Sequence, residues 1–226
     1  MSNIWDKLIE LESYFESRFY ATGAIKHEPG MDRFNQPGWI NKVWKSSTYR
    51  RAHIDVVDAR ETKGLWMMHC CVFPYVDNPA PIFGFDVIAG KNKITGCFID
   101  VSPTCWDEHP MLPWFAVEAS RLTWHKVRPL PDWAKAIFSP NIIAAGNEQE
   151  EAELEQILEV AKRTLDIYLE SLADTANSDV DASQKQNFYA QQQKLNPHTP
   201  KVMTSLGLNE DDVRVFIQDC LFPEIA

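Results

Sequence analysis

No apolar run in this chain approaches the ~18 residues needed to cross a bilayer, so no membrane-spanning helix is expected. The start, MSNIWDKLIELESYF, is an acidic amphipathic stretch without the basic and apolar regions of a signal peptide. The five cysteines (70, 71, 97, 105, 220) are odd in number and include no CxxC. A disulfide framework, a structural zinc or an iron–sulfur cluster of the chain's own is therefore not expected, and a reduced, cytoplasmic setting fits better. Internal repeats are absent. Basic residues are also scarce: 22 Lys plus Arg stand against 32 Asp plus Glu, a formal charge of −10. Residues 1–140 hold 16 of each sign, while residues 141–226 hold 6 basic and 16 acidic ones. Duplex nucleic acid is a poor partner for such a chain, because phosphate binding needs a concentrated basic surface. Two local basic stretches remain, KVWKSSTYRRAH at 42–53 and RLTWHKVR at 121–128. Each reads either as a solvated face or as a landing site for an acidic partner or an anionic ligand.

What is present in quantity is apolar material. Hydrophobic residues make up 45 % of 226, with 8 Trp and 12 Phe, enough for one sizeable core and too aromatic for a disordered chain. Ile4, Leu8, Leu11, Phe15 and Phe19 fall at steps of 3 and 4, which predicts a helix over 3–20. A loop containing Gly23, Pro29, Gly30, Pro37 and Gly38 follows. Runs rich in Val, Ile, Trp, Phe and Tyr predict strands at 39–46, 49–58, 64–74, 81–89 and 94–101. Their connections are too short for crossover helices, so the sheet should be antiparallel. Helices are expected at 113–126, 132–138, 148–173, 184–195, 199–206 and 210–221, with a linker-like stretch at 173–183. The class is α+β: a central antiparallel sheet flanked by helices.

The turns predict register. A hairpin centred on Asp77-Asn78 puts His69 opposite Asp86. A turn centred near Glu61 puts His53 opposite His69, with Asp55 and Val57 on the same face. A turn between Lys91 and Asn92 pairs Asp86 with Cys97 and Ile88 with Thr95. One face then carries His53, Asp55, His69, Asp86 and Thr95, with Met67, Cys71, Gly84 and Ile99 between them. The other carries Ile54, Trp66, Met68, Cys70, Phe85, Val87 and Phe98, an ordinary face for helix packing. These pairings depend on unbulged strands.

Carboxylates and imidazoles side by side in an apolar face are costly unless something uses them. Two chemistries compete. A metal could be held by His53, His69, Asp55 and Asp86, although a flat row does not suit the facial geometry of such sites. Alternatively, the pair Asp86–His69 could titrate as one unit and deliver protons to a large flat ligand held against the sheet.

At these residues the chain resembles the ferredoxin-dependent bilin reductases. The likeness is carried by HCCVFPYVDNPAPIFGFDVIAG, FIDVSPT, YAQQQKLNPHT and DCLFPEI, with the Asp of FGFD following the His by seventeen residues. It covers most of the chain as a single domain over 1–226, most strongly at 64–104 and 188–223. The resemblance implies an α/β/α sandwich with biliverdin IXα between the sheet and the C-terminal helices. It implies no metal and no bound cofactor. A reduced [2Fe-2S] ferredoxin would supply electrons one at a time, through bilin radicals. Asp86 would be the central proton donor and His69 its hydrogen-bonded partner.

Two departures from the family's pattern bear on the product. Phycocyanobilin-forming members place a Glu on the preceding strand to protonate the D-ring vinyl group. Here HIDV offers the shorter Asp55, or Val57, at that place. The family's loop Asp is replaced by Asn196 in KLNPHT, where His198 could substitute. The expected product is phycoerythrobilin, as in the phage-encoded branch of the family, with phycocyanobilin as the alternative. A non-catalytic bilin carrier or lyase and a ligand-free interaction module are the other readings. The family's propionate-binding Arg is not evident, so Lys194, Lys201, Arg50 or Arg51 would serve. Thr95 and Met67 complete the expected substrate contacts. Ferredoxin would dock on the neutral part, at Lys42, Lys45, Arg50 and Arg51. The expected protein is a monomer in the cytoplasm of a cyanobacterial or phage-infected host, with no membrane or nucleic-acid partner.

Overall fold

A computed structural model describes residues 4–26, 32–104, 109–175 and 178–225. Pro29 and Gly30 of the expected loop, Cys105, Trp106 and residues 176–177 of the linker lie outside them. The chain opens with helix α1 (Ile4–Ala21) and a short strand β1 (Ile25–Lys26). Five long strands follow: β2 (Trp39–Lys45), β3 (Tyr49–Ala59), β4 (Leu65–Pro74), β5 (Ile82–Gly90) and β6 (Ile94–Ser102), with the single turn α2 (Arg60–Lys63) between β3 and β4. Then come α3 (Met111–Ser120), α4 (Asp132–Lys135), β7 (Ile143–Ala145) and the long helix α5 (Glu151–Asp174). Helices α6 (Ser183–Gln193), α7 (His198–Ser205) and α8 (Glu210–Val215) close the fold, the last running into a π-helical turn at Phe216–Leu221. The seven strands form one antiparallel sheet in sequence order, as short connections require.

Helices cover both faces, giving an α/β/α sandwich. On one face, Leu8, Leu11, Phe15 and Phe19 of α1 and Leu158, Ala161, Leu165 and Tyr168 of α5 pack on Ile54, Met68, Cys70 and Phe85. The stripe read from the sequence is the stripe that is buried. Tyr168 ties α5 to the sheet by donating to the carbonyl of Pro81 at 2.8 Å. On the other face, α6 to α8 and the π-helical turn bring Ala190, Met203, Phe216 and Phe222 onto Trp39, Val43 and Val57. β3 is therefore buried on both sides.

The structure corrects two of the expected registers. Between β4 and β5, His69 pairs with Asp86 as expected. Between β3 and β4, His69 pairs with Asp55 rather than His53. The link there is a full helical turn closed by Gly64 at φ 60, not a tight turn at Glu61. The shift is two residues, so side chains keep their faces. Between β5 and β6 the pairing next to the turn, Ala89 with Ile94, is as expected, but a bulge follows between Ile88 and Ala89. One extra residue turns the rest of β6 over. Asp86 pairs with Phe98, not Cys97, and Gly84 pairs with Asp100. Cys97 and Ile99 accordingly pack against α1 and α5. α3 is also shorter than expected, ending at Ser120, and β1 and β7 are additional edge strands.

Candidate active site

The sheet face beneath α6 is a grid in which three rows cross five strands. The central row is Asn41, Asp55, His69, Asp86 and Phe98. One neighbouring row is Val43, His53, Cys71, Gly84 and Asp100. The other is Trp39, Val57, Met67, Ile88 and Gly96. The row that carries chemistry is thus a set of direct cross-strand neighbours, whose Cβ atoms lie ~5 Å apart.

His69 Nδ1 bonds Asp86 Oδ1 at 3.0 Å. The imidazole is closed in, 14 % exposed, while the Asp86 carboxylate is 46 % exposed. Phe222 packs edge-on against His69 with ring centroids 5.7 Å apart, and its Nε2 is buried without a protein partner. Burial pulls the imidazole pKa down, but the charge and hydrogen bond of Asp86, with Asp55 adding to them, outweigh it and raise His69 above its ordinary value. Asp55, on the other side of His69, is 7 % exposed and accepts from Trp39 Nε1 at 2.5 Å. Its burial pushes the carboxyl up to about 6, against the opposing pull of the indole N–H and of His69. His53 is fully buried and bonds Asn41 Oδ1 through Nε2 at 3.2 Å. Burial, followed by Arg51 and His69, drives its pKa well down, so it is a neutral structural imidazole at pH 7. Among the described residues, no group of three His, Cys, Asp or Glu is arranged to hold a metal ion.

A narrow cleft, with room for about 10 Å³, opens over Asp86, Gly84, Phe98 and Asp100 on the sheet side, and is closed by Tyr189 and Gln193 of α6 and by Phe138 and Ile142. Gly84 gives it depth. A Cβ there would meet Tyr189 Oη at 3.4 Å, and that hydroxyl accepts from Gln193 Nε2 at 2.8 Å. Asp100 binds the segment that closes the cleft: it accepts from Ser139 N at 3.0 Å, Ser139 Oγ at 2.5 Å and Ser102 Oγ at 2.6 Å. Its burial lifts the carboxyl to about 6 in spite of these donors. Asp100, Phe98, Tyr189 and Gln193 were not among the expected site residues. The alternation Cys97, Ile99, Val101 against Asp100 and Ser102 is the sequence signal that could have placed β6 correctly.

Other expected residues lie elsewhere. Thr95 is the bulged residue, and its hydroxyl donates to the carbonyl of Ile88 at 3.0 Å. Met67 shares the site face but packs with Trp39 and Phe216. Asn196 accepts from His198 N at 3.0 Å and so organises the start of α7 at an exposed corner. Lys194 is paired with Glu224 at 2.6 Å, and Lys201 is exposed on α7. Lys42 lies between Glu12 and Glu16 of α1, 2.8 Å from each. Arg50 and Arg51 are turned inward beneath α6 and the C-terminal turn: Arg50 Nε donates to Gln186 Oε1 at 2.8 Å, and Arg51 donates to the carbonyl of Cys220. Burial lowers Arg50 to about 10. Of the four expected docking cations only Lys45 is exposed. Trp114 and Trp124 are partly buried and pack against the core, and Trp133 packs on Phe138 at 6.2 Å.

Comparison with known proteins agrees with this architecture. The family model described as ferredoxin-dependent bilin reductase matches residues 24–223. A phycocyanobilin:ferredoxin oxidoreductase of Synechococcus sp. (strain CC9902) is 32 % identical over 176 residues, 72 % of this chain and 67 % of the relative. The enzyme of the same name from Gloeobacter violaceus is 24 % identical over 225 residues, 96 % of this chain and 85 % of the relative. The solved structure of PcyX superposes with a TM-score of 0.71 at 34 % identity, covering 97 % of this chain and 99 % of that one. Tomato phytochromobilin synthase, solved in complex with biliverdin, has the same fold, with a TM-score of 0.69 at 15 % identity over 96 % of this chain and 82 % of that one. The chain belongs to the ferredoxin-dependent bilin reductases and is an oxidoreductase of that family.

Proposed function

We propose that this chain reduces biliverdin IXα to phycoerythrobilin, first at the 15,16 bridge and then at the A-ring, with electrons from reduced [2Fe-2S] ferredoxin. The observation that carries the reading is the half-open carboxylate of Asp86 held by the buried His69 at 3.0 Å. A one-electron donor leaves a bilin radical after the first and third of the four transfers, and each two-electron reduction needs two protons on carbon, nitrogen or oxygen. Asp86 is the acid that faces the cleft. His69, whose hold on a proton is strengthened by its two carboxylate neighbours, is the reservoir behind it. Phe98, Phe138 and Ile142 at the cleft limit the water that competes for the radical.

Asp55 supports the choice of product. It stands in the central row beside His69, one methylene shorter than a glutamate and tied back by Trp39. A carboxyl so held is drawn away from a vinyl group at the ligand's edge, which favours the bridge over the D-ring. Val57 lies one row away, opposite Met67, and carries no proton. The chain works as a single domain over 1–226, a cytoplasmic monomer with no cofactor of its own. The test is an anaerobic assay with biliverdin and reduced ferredoxin, followed by chromatography. Phycoerythrobilin isomers are expected. A phycocyanobilin product would overturn the regiochemistry, and tight binding without turnover would favour a carrier.

A further inference from the structure

Trp39 opens β2 on the site face, and the backbone fixes it there. Residues 36–39 form a tight turn, in which Trp39 N donates to the carbonyl of Gln36 at 2.9 Å and Gln36 N to that of Trp39 at 3.0 Å. The centre of the turn is Pro37-Gly38, with Gly38 at φ 81, which is the pairing such a turn requires. A Cβ on Gly38 would stand 2.6 Å from the carbonyl oxygen of Asp58, so the turn is pressed against β3. Trp39 pairs with Val57, two residues along from the Asn41–Asp55 pair. Diagonal neighbours on one face are within reach of a large side chain. The indole spans that diagonal, and its Nε1 donates to Asp55 Oδ1 at 2.5 Å.

The ring is gripped as well. Trp39 is fully buried, and Phe216, at the start of the π-helical turn, meets it edge-on with centroids 4.8 Å apart. Phe34 lies 6.4 Å from the indole and 5.1 Å from Phe216, which closes the cluster. An indole N–H can only donate. Asp55 Oδ1 is thereby kept as an acceptor, and the proton of the neutral acid belongs on Oδ2. The same donor favours the anion, against the pull of burial. The other neighbours of Asp55 on this face are Asn41 from β2, His69 from β4 with Asp86 behind it, and His53 and Val57 on β3 itself. Asp55 is therefore an acid whose position and protonation are both governed by a fixed donor.

We infer that Trp39 sets the regiochemistry of the reduction: by clamping Asp55 Oδ1 it withholds this acid from the substrate's vinyl edge and leaves protonation to Asp86. This rests on the bilin reading above and names the residue behind its choice of product. Reducing a vinyl group to ethyl takes two electrons, from two reduced ferredoxins, and two protons. A released Asp55 would place one proton on carbon and be reprotonated by solvent, and solvent would supply the other proton. Trp39 acts through Asp55 and is a positioning residue.

Trp39→Phe keeps a ring against Phe216 and Phe34 and removes the N–H. It is compared with the wild type, Asp55→Asn and the double variant, with thermal unfolding measured alongside. The first readout needs no substrate: the Asp55 carboxyl, isotope-labelled and identified by its loss in D55N, is titrated by NMR. Its midpoint, about 6 in the wild type, should rise by about one pH unit in W39F. In the wild type the Trp39 indole N–H resonance should move through that same midpoint, because its acceptor changes charge. A resonance flat in pH would overturn the clamp without any substitution, as would an unmoved Asp55 titration in W39F. The second readout is the chromatogram of biliverdin reduced by ferredoxin at neutral pH. The share of vinyl-reduced product should rise about tenfold in W39F and return to the D55N level in the double variant. A lower Tm and slower turnover with unchanged products would show a purely structural indole and overturn the selectivity. So would vinyl-reduced product that persists in the double variant, since the change would not run through Asp55. A wild-type protein that leaves biliverdin unreduced would remove the bilin reading and the selectivity with it, while the two titrations would still report the clamp.

Discussion

His69 and Asp86 are cross-strand partners of unequal exposure: the imidazole is 14 % exposed, the carboxylate 46 %, and 3.0 Å separates Nδ1 from Oδ1. The inequality assigns direction. In the proposed mechanism the open partner would meet the ligand and the closed one would resupply it. Asp86→Asn removes the acid and keeps the shape, so turnover should fall roughly 10²–10⁴-fold. Biliverdin should still bind, and a bilin radical should accumulate under anaerobic reduction, visible by electron spin resonance. Normal turnover by this variant would take Asp86 out of the mechanism.

The same pair sets a pH dependence. The raised pKa of His69 means that its protonated form is favoured in the folded state. Its contribution to stability is fully present below the ordinary imidazole value and is lost as pH rises through the folded value. Turnover should decline across the same window. In Asp86→Asn the carboxylate that holds the proton is gone, so the His69 titration, followed by NMR, should move to lower pH. An unmoved titration would mean that another group charges the imidazole.

Asp55 carries the opposite sign. Its carboxyl is raised from 3.8 to about 6, so ionisation opposes folding. No penalty exists below the unfolded value, it grows as pH rises from 3.8 to about 6, and above that it is constant. Asp55→Asn removes it while keeping an acceptor for Trp39. Relative to wild type this variant should gain roughly 1–3 kcal/mol between pH 4 and pH 7, read by denaturant unfolding. Asp55→Glu tests the chemistry instead: one more methylene should add vinyl-reduced products to the chromatogram.

Most of the fold was legible because its signals are local. The helical stripe of α1, the five long strands and the hairpin at Asp77-Asn78 follow from side-chain period and turn residues. His69 and Asp86 could therefore be paired from sequence. The rest depended on single-residue events. Gly64 ends a helical turn where a tight turn was expected, which exchanged His53 for Asp55 opposite His69. The bulge at Thr95 replaced Cys97 and Ile99 with Phe98 and Asp100. Contacts between distant segments were out of reach altogether. Nothing local says that Arg50 and Arg51 turn under α6.

Those placements change what charge reversal should do. Lys45→Glu alters an exposed cation and should raise the ferredoxin KM by a few-fold, with weaker salt dependence and unchanged stability. Lys42→Glu would bring a third carboxylate between Glu12 and Glu16, and should lower Tm. Arg51→Glu leaves a buried anion beneath the C-terminal turn, which should prevent stable folding. A folded Arg51→Glu protein with only a docking defect would contradict the buried placement.

Asp100 is the acceptor that fastens the Ser139 segment, and with it Phe138 and Ile142, over the cleft. Asp100→Ala strips three donors of their partner inside the protein. About 1–3 kcal/mol of stability should be lost, because buried donors left unpaired retain their desolvation cost. The carboxylate is buried and bound by Ser102 and Ser139, where that of Asp86 is half open, so the chemistry should survive: the biliverdin Kd should rise more than the turnover of bound substrate falls. Asp100→Asn keeps one acceptor oxygen and should recover part of both losses. If Asp100→Ala instead abolished turnover while binding stayed tight, Asp100 would be a second proton donor, and the division of labour between β5 and β6 would have to be redrawn.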